Sequence, residues 1–381
     1  MTKIYMIRHC EAEGNIYRRA QGQTDSGISP KGEKQIAALA ARFRKIPLDA
    51  LWSSDLRRAV ATAGAITRYH DLPLIRDERL REWSIGAWED RPFGDLEYED
   101  PEGMYRFNND PAAWRAPGAE TWAQLQRRMR AVVEDIAARC PEQSVACVSH
   151  GMAIRALTAA ALGVPSRETG SVPHGDNTAV TLFEAQGGAL RAVWLCDAGH
   201  LPPELSTFAR QRWWRDASRP DPNSVRFQRL DPRRYPSRYL EFYEKTWKAV
   251  HGDLRGFQPA YYRDSAIAHV QACPDALVQI LRPDGEAVGI LELDVERCRD
   301  QGAGWICLCY VEESCRRQLL GVQLLGHAVS VFRGLGLRAA RLTVYAGNTG
   351  AIRFYEANGF HAIGTDEGAG GSRLLVMEKG L

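Results

Sequence analysis

Four short apolar runs, KIYMIR (3–8), DALWSS (49–54), SVACVSH (144–150) and AVTLFE (179–184), are separated by stretches whose apolar residues recur at helical spacing. Strands linked through helices pair in parallel and need cover on both faces, so this alternation restricts the first 200 residues to a three-layer α/β/α domain with a mostly parallel sheet. Near residue 205 the texture changes. FARQRWWRDASRPDP (208–222) is rich in Arg and Pro and has no periodicity, which predicts a linker over 206–222 between domains at 1–205 and 223–381.

The second half follows a different order. A strand VRFQRL (225–230) precedes helical segments around 237–250 and 259–272. The run ALVQILRPDGEAVGILELDVE (276–296) then reads as a hairpin, because Pro-Asp-Gly favours a tight turn. A strand WICLCYV (305–311), a helix over 316–333, a strand RLTVYA (341–346), a helix over 349–358 and closing strands complete an α+β domain with a mixed sheet.

Charge excludes several classes of function. Lys plus Arg number 49 against 47 Asp plus Glu, a net charge of +2, which leaves no footprint for a dedicated nucleic-acid binder. No uninterrupted apolar stretch reaches membrane-spanning length, and the start MTKIYMIRHCEAEG reads as a first strand rather than a secretion signal. The nine cysteines are scattered without CxxC or paired spacing, which suits a reduced, cytoplasmic protein without a metal site.

In open α/β sheets ligands bind beyond the carboxyl ends of the strands. Arg8 and His9 follow KIYMI there, Ser149-His150-Gly151 follows SVACV, and Arg58 opens the helix after LWSSD. Arginines bind phosphate through paired N–H donors, and an imidazole is a competent nucleophile at neutral pH. The stretch Trp83–Trp114 is dense in aromatic rings, a composition equally suited to a substrate lid and to packing. His70, His174 and His200 receive no role.

The order of motifs is more specific. Arg8-His9-Cys10-Glu11-Ala12 with Asn15, QGQTDSGISPKGEKQ, SSDLRRAVATA, LREWSIGAWE, VSHG and NTAVTLFE together resemble the histidine phosphatase (phosphoglycerate mutase-like) superfamily over residues 1–205. The resemblance implies that His9 is phosphorylated, that Arg8, Arg58 and His150 clamp the phosphate with Asn15 lining it, and that Glu82 is the proton donor. It implies no metal. The segment after Glu82 is more similar to the phosphatase branch than to the mutase branch. Cys10 stands where the family has glycine and Ala12 where it has threonine, changes expected to reshape the pocket while keeping its charges.

In the second half, YVEESCRRQLLGVQLL (310–325) combines a strand end, a turn and a helix start, a combination that offers backbone N–H groups to a pyrophosphate. With NTGAIRFYEANGF (348–360) it resembles the GCN5-related N-acetyltransferase (GNAT) family over 223–381. That resemblance implies acetyl-CoA as co-substrate, held by Val311, Arg316, Arg317, Gln318, Leu319, Leu320, Gly321 and Val322, with Asn348 on the pantetheine arm. Tyr355 would protonate the departing thiolate, and Glu292 or Glu312 would take the proton of the amine. Leu319 replaces the first glycine of the family's loop, and Cys315 beside that loop reads as an inert thiol.

The expected function is therefore bifunctional: a metal-independent phosphomonoesterase working through phosphohistidine on a small phosphorylated metabolite, fused to an N-acetyltransferase acting on an amine of a small molecule or a protein lysine. Two alternatives stand beside it. One is a phosphoglycerate mutase-type phosphotransferase, and the other is a phosphatase regulated by a non-catalytic, acyl-CoA-sensing second domain.

Overall fold

The computed structural model describes residues 1–210, 223–368 and 371–381. They form two compact units, one made of most of residues 1–210 and the other of residues 223–381 with the short segments Ile16–Arg18 and Pro92–Asp95, and the remainder of the predicted linker, 211–222, lies outside the described residues.

The described residues of the first unit form a six-stranded sheet from β1 (Thr2–Arg8), β2 (Ala50–Ser53), β3 (Leu74–Arg76), β4 (Ser144–Ser149), β5 (Val180–Gln186) and β6 (Ala189–Asp197), in the order β3-β2-β4-β1-β5-β6. The first four strands are parallel, as βαβ punctuation predicts. AVTLFE departs from this, because β5 runs antiparallel to β1 and returns through Gly187-Gly188 into β6. Both glycines have positive φ, 57° and 80°, the conformation a two-residue hairpin turn needs. The three-residue β3 is too short for its periodicity to register in the sequence.

Parallel pairing positions the site. β1 and β4 lie side by side in a register that sets Arg8 opposite Ser149, so the residues that follow them, His9 and His150, emerge together. The core behind them packs Ile7, Leu51, Ala146 and Val148 against Leu39 and Phe43 of the helix Pro30–Phe43 and Ala59 and Ile66 of the helix Arg57–Thr67. The unit also extends beyond the predicted boundary at 205. Gln35 donates to the Leu205 carbonyl at 2.7 Å, and Thr207 to Glu11 at 2.8 Å, so residues 206–208 are anchored rather than linker.

The second unit is a seven-stranded mixed sheet among the described residues: β7 (Arg226–Arg229), β8 (Leu277–Leu281), β9 (Ala287–Cys298), β10 (Ala303–Val311), β11 (Ala339–Tyr345), β12 (His361–Glu367) and β13 (Arg373–Gly380), in the order β12-β13-β11-β10-β9-β8-β7. The Pro283-Asp284-Gly285 turn joins β8 to β9, with Gly285 at φ 88°. Only β10 and β11 are parallel. They pair from Ala303↔Ala339 to Ile306↔Leu342 and then part, although β10 runs on to Val311 and β11 to Tyr345. The helix Leu320–Gly334 packs Leu324, Leu325, Ala328 and Phe332 into the core of this unit. No helix among the described residues is long and apolar enough to cross a membrane.

Candidate functional site

The first site is built at the carboxyl ends of β1, β2 and β4. His9 is 4% exposed, and its Nδ1 lies 2.7 Å from the Cys10 carbonyl oxygen. A carbonyl only accepts, so Nδ1 carries the proton and donates it, leaving the Nε2 lone pair available. Burial, with the Arg58 and Arg8 charges adding to it, holds the imidazole well below its ordinary value and neutral at neutral pH. The loop is held from both sides. Asn177 donates to the His9 carbonyl at 2.9 Å, and the Cys10 N–H donates to Thr62, whose hydroxyl donates to the Arg58 carbonyl.

His150 lies with its ring centroid 5.1 Å from that of His9, and its Nε2 is 2.8 Å from the Ser54 hydroxyl. Among the described residues the buried Ser54 hydroxyl, which accepts from the Leu56 N–H, meets no acceptor for its own proton other than Nε2 and donates there, which makes Nδ1 of His150 a donor. That Nδ1 is buried without a partner, as is Nε of Arg8. Two buried donors facing no acceptor at one sheet edge are what an anionic oxygen would satisfy. Gly151 allows this crowding, since a Cβ there would stand 3.3 Å from Arg8 Nε.

Arg58 is fully buried and donates to the Thr24 and Gly22 carbonyls, each at 2.7 Å. Burial pulls it down to about 10, against the Glu82, Asp25 and Glu89 carboxylates, so it stays charged at neutral pH. Burial likewise lowers Arg8, which the Asp176 and Glu82 carboxylates oppose. Glu82 therefore acts on both arginines. Its Oε1 accepts from the N–H groups of Trp83 and Ala153 and its Oε2 from that of Met152, all within 2.9–3.0 Å, so it caps the helix Gly151–Leu162. Three of roughly four lone-pair sites are taken, and the remaining one is on Oε2. Arg128 holds the approach, donating to the carbonyls of Arg79, Arg81 and Glu82 while Glu120 pairs with it.

The structure thus brings Arg8, His9, Arg58, Glu82 and His150 together, with Asn15 accepting from Ala12 N–H and Asn177 beside the His9 loop. Cys10 does not enter the pocket. It is fully buried against Gly32, and burial pushes its thiol up to about 12. Sequence reasoning gave no role to Ser54, Thr62 and Asn177, although all three lie inside quoted motifs. His174 sits within electrostatic reach of Arg8 and Arg155, and burial foremost keeps it well below its ordinary value. His70 donates from Nε2 to the Phe43 carbonyl at 3.0 Å and His200 lies between Thr178 and Arg42, both structural positions. The rings of Trp83, Trp88, Phe107 and Trp114 meet at 4.7–5.6 Å, mostly edge to face, and are buried, so they are core rather than lid, whereas Tyr98 and Tyr105 of the same stretch are exposed.

The second site lies where β10 and β11 part. The predicted helix over 316–333 begins only at Leu320, because Arg317 and Leu319 take positive φ, 62° and 59°. Alternating such residues with ordinary ones turns successive N–H groups toward one side. Among the described residues the N–H groups of Arg317, Gln318 and Leu319 meet no backbone acceptor, and the first turn of the helix adds further unused donors. Leu319 occupies its glycine position in a glycine-like conformation, with its side chain packed against the core. Leu320 and Val322 are buried, Arg316 and Arg317 exposed, and Gln318 is tied to Arg282 and the Ser314 carbonyl. A Cβ on Gly321 would stand 3.2 Å from the Phe354 ring.

Val311 ends β10, and its carbonyl accepts from Arg316. Asn348 caps the helix Thr349–Ala357 by accepting from the Ala351 N–H at 3.0 Å. Tyr355 is buried inside that helix, and burial, with Cys309 beside it, holds the phenol well above its ordinary value, so it keeps its proton. Cys315 is buried. Glu292 is 2% exposed and both its oxygens are engaged, by the Tyr239 hydroxyl at 2.9 Å and His269 at 2.8 Å. Glu312 is more open and pairs with Lys245 at 2.7 Å.

The first unit thus gathers buried side-chain donors at a parallel sheet edge, and the second presents unused backbone N–H groups beside a splayed mixed sheet. A family model for the histidine phosphatase superfamily (branch 1) matches residues 4–198, and the chain belongs to that superfamily. A model for the acetyltransferase (GNAT) family matches residues 238–360, so a histidine phosphatase-like domain is fused to a GNAT domain. The chain is 34% identical over 165 residues to the probable phosphoglycerate mutase GpmB of Yersinia enterocolitica, 43% of this chain and 77% of that protein. The protein of the same name from Yersinia pestis is 34% identical over 166 residues, 44% of this chain and 77% of that one. The solved structure of YhfR from Bacillus stearothermophilus aligns with a TM-score of 0.51 at 30% identity, over 52% of this chain and 99% of that one.

Proposed function

We propose that the first domain hydrolyses phosphate monoesters of small metabolites through a phosphohistidine on His9. The observation that carries this reading is the 2.7 Å contact from His9 Nδ1 to the Cys10 carbonyl, which leaves a neutral Nε2 lone pair beside the buried Arg58 and the half-buried Arg8. Nε2 attacks phosphorus, the bond to the ester oxygen breaks, and Glu82 gives that oxygen a proton from Oε2. Water then attacks the phosphohistidine, Glu82 takes a proton back, and inorganic phosphate leaves. Arg8 and Arg58 neutralise the phosphoryl oxygens throughout, and the neutral His150 donates a hydrogen bond to them.

Phosphoryl transfer of the mutase type is the second reading, favoured by the 34% identity to proteins named as probable phosphoglycerate mutases. Release of inorganic phosphate from small monoesters, measured against conversion of phosphoglycerate isomers, decides between them. An acid-labile phosphoryl label on His9 is expected in either case, and its absence overturns the assignment of the nucleophile.

We infer that the second domain acetylates an amine with acetyl-CoA. The row of unused N–H groups from Arg317 onward suits a pyrophosphate, and the gap beyond Ile306↔Leu342 suits an extended arm. Tyr355 supplies the proton for the departing thiolate. We assign the acceptance of the amine proton to Glu312, which is more open than the enclosed Glu292. Acetyl-CoA consumption in an amine screen tests this, and binding without turnover on any amine would favour a sensing role instead.

A further inference from the structure

His269, Asp294 and Cys307 stand on three separate elements, the helix Pro259–Ala272, β9 and β10, yet one donor atom from each lies within 4.8 Å of the others. No compact motif links them, which is why a search for cysteine and histidine spacings finds nothing here. The pairing of β9 with β10 slips between Ile306↔Leu293 and Leu308↔Glu292, and Cys307 is the residue left without a partner of its own. That bulge seats the thiol next to two carboxylates that alternate along β9.

We propose that these three residues bind one divalent transition-metal ion, zinc by the character of the donors. A nitrogen, a sulfur and an oxygen ligand with one open position is a set zinc accepts. His269 Nε2 and Asp294 Oδ2 are already 3.3 Å apart, close to the ~3.5 Å between ligand atoms that bond lengths of about 2.0–2.3 Å require at a tetrahedral ion. The fourth residue behaves as a support. Glu292 accepts from His269 Nδ1 at 2.8 Å, which aims Nε2 at the other two ligands, and the Tyr239 hydroxyl fixes Glu292 in turn. A thiolate and one carboxylate balance a divalent charge, and binding releases the thiol proton to solvent. The ion also has structural work to do, because the helix Pro259–Ala272 buries only Ala266 fully.

The test uses the full chain, stripped with a chelator and titrated with Co²⁺ as a spectroscopic probe. A thiolate-to-cobalt charge-transfer band saturating at one equivalent and displaced by Zn²⁺ is expected. Cys307→Ser should abolish the band and Cys309→Ser should keep it. Glu292→Gln should keep it while weakening binding about 10–100-fold, as loss of a supporting hydrogen bond does. Should Cys307→Ser fail to fold, alkylation of the wild-type chain, mapped by residue, is expected to show Cys307 protected by Zn²⁺. No band in the wild type, a band that survives Cys307→Ser, or alkylation of Cys307 indifferent to zinc overturns the proposal.

Discussion

The two candidate phosphate-binding regions are made of opposite materials. In the first domain the donors are side chains, Arg8, Arg58 and His150, taken out of water and held by carbonyls and hydroxyls. In the second they are backbone N–H groups, presented by two residues at positive φ and the start of a helix. A side-chain site is lost with one substitution, whereas a backbone site tolerates many side chains provided the chain path is kept. Leu319 illustrates this: a leucine has replaced the glycine expected from the family, yet φ remains 59° and the side chain packs inward.

The sharpest break in that comparison is His9→Ala. Phosphate release should fall by on the order of 10⁴-fold or more, as for loss of a covalent nucleophile, with acetyl-CoA binding unchanged by calorimetry. Glu82→Gln comes next. Turnover should drop about 10²–10⁴-fold if Glu82 moves the proton. The amide nitrogen of Gln replaces one carboxylate oxygen and faces either the Met152 or the Ala153 N–H, which should also cost about 1 kcal/mol as a weakened helix cap, so a urea midpoint measured alongside separates the two effects.

On the backbone side, Arg317→Ala and Gln318→Ala should each shift the acetyl-CoA dissociation constant by less than about 10-fold, roughly 1.4 kcal/mol. A shift of 100-fold in either would mean that side chains carry that site too. The smallest effect is on stability against pH. Burial, with Arg42 adding to it, lowers His200 from 6.5 to about 4, so the folded state binds fewer protons than the unfolded state in that window. Stability should therefore decline as pH falls from 6.5 toward 4, with His9 and His150 acting in the same direction. A denaturant midpoint that is equal at pH 7 and pH 5 would contradict this.

Much of the architecture was legible because it follows from local periodicity. The strands ending at Arg8 and Ser149, the Pro-Asp-Gly hairpin and the helix capped by Asn348 all appear where pattern and turn chemistry put them. Local signals failed where the chain conformation depends on distant packing. The helix after β10 starts four residues later than its periodicity suggests, since Arg316–Leu319 form the loop. The antiparallel direction of β5 rests on where β6 returns, and Trp83, Trp88, Phe107 and Trp114 of the aromatic run became core because their rings meet one another rather than solvent.

Residue order alone determined which chemical groups stand at the strand ends, and motif order alone assigned the two families. Only the tertiary structure decided which nitrogen of His9 carries the proton, that Glu82 caps the helix after His150 across 70 positions of sequence, and that Glu292 is enclosed by Tyr239 and His269. The physical reason is common to all three. Protonation, tautomer and accessibility are set by which groups lose water together, and burial brings together residues that the sequence keeps far apart.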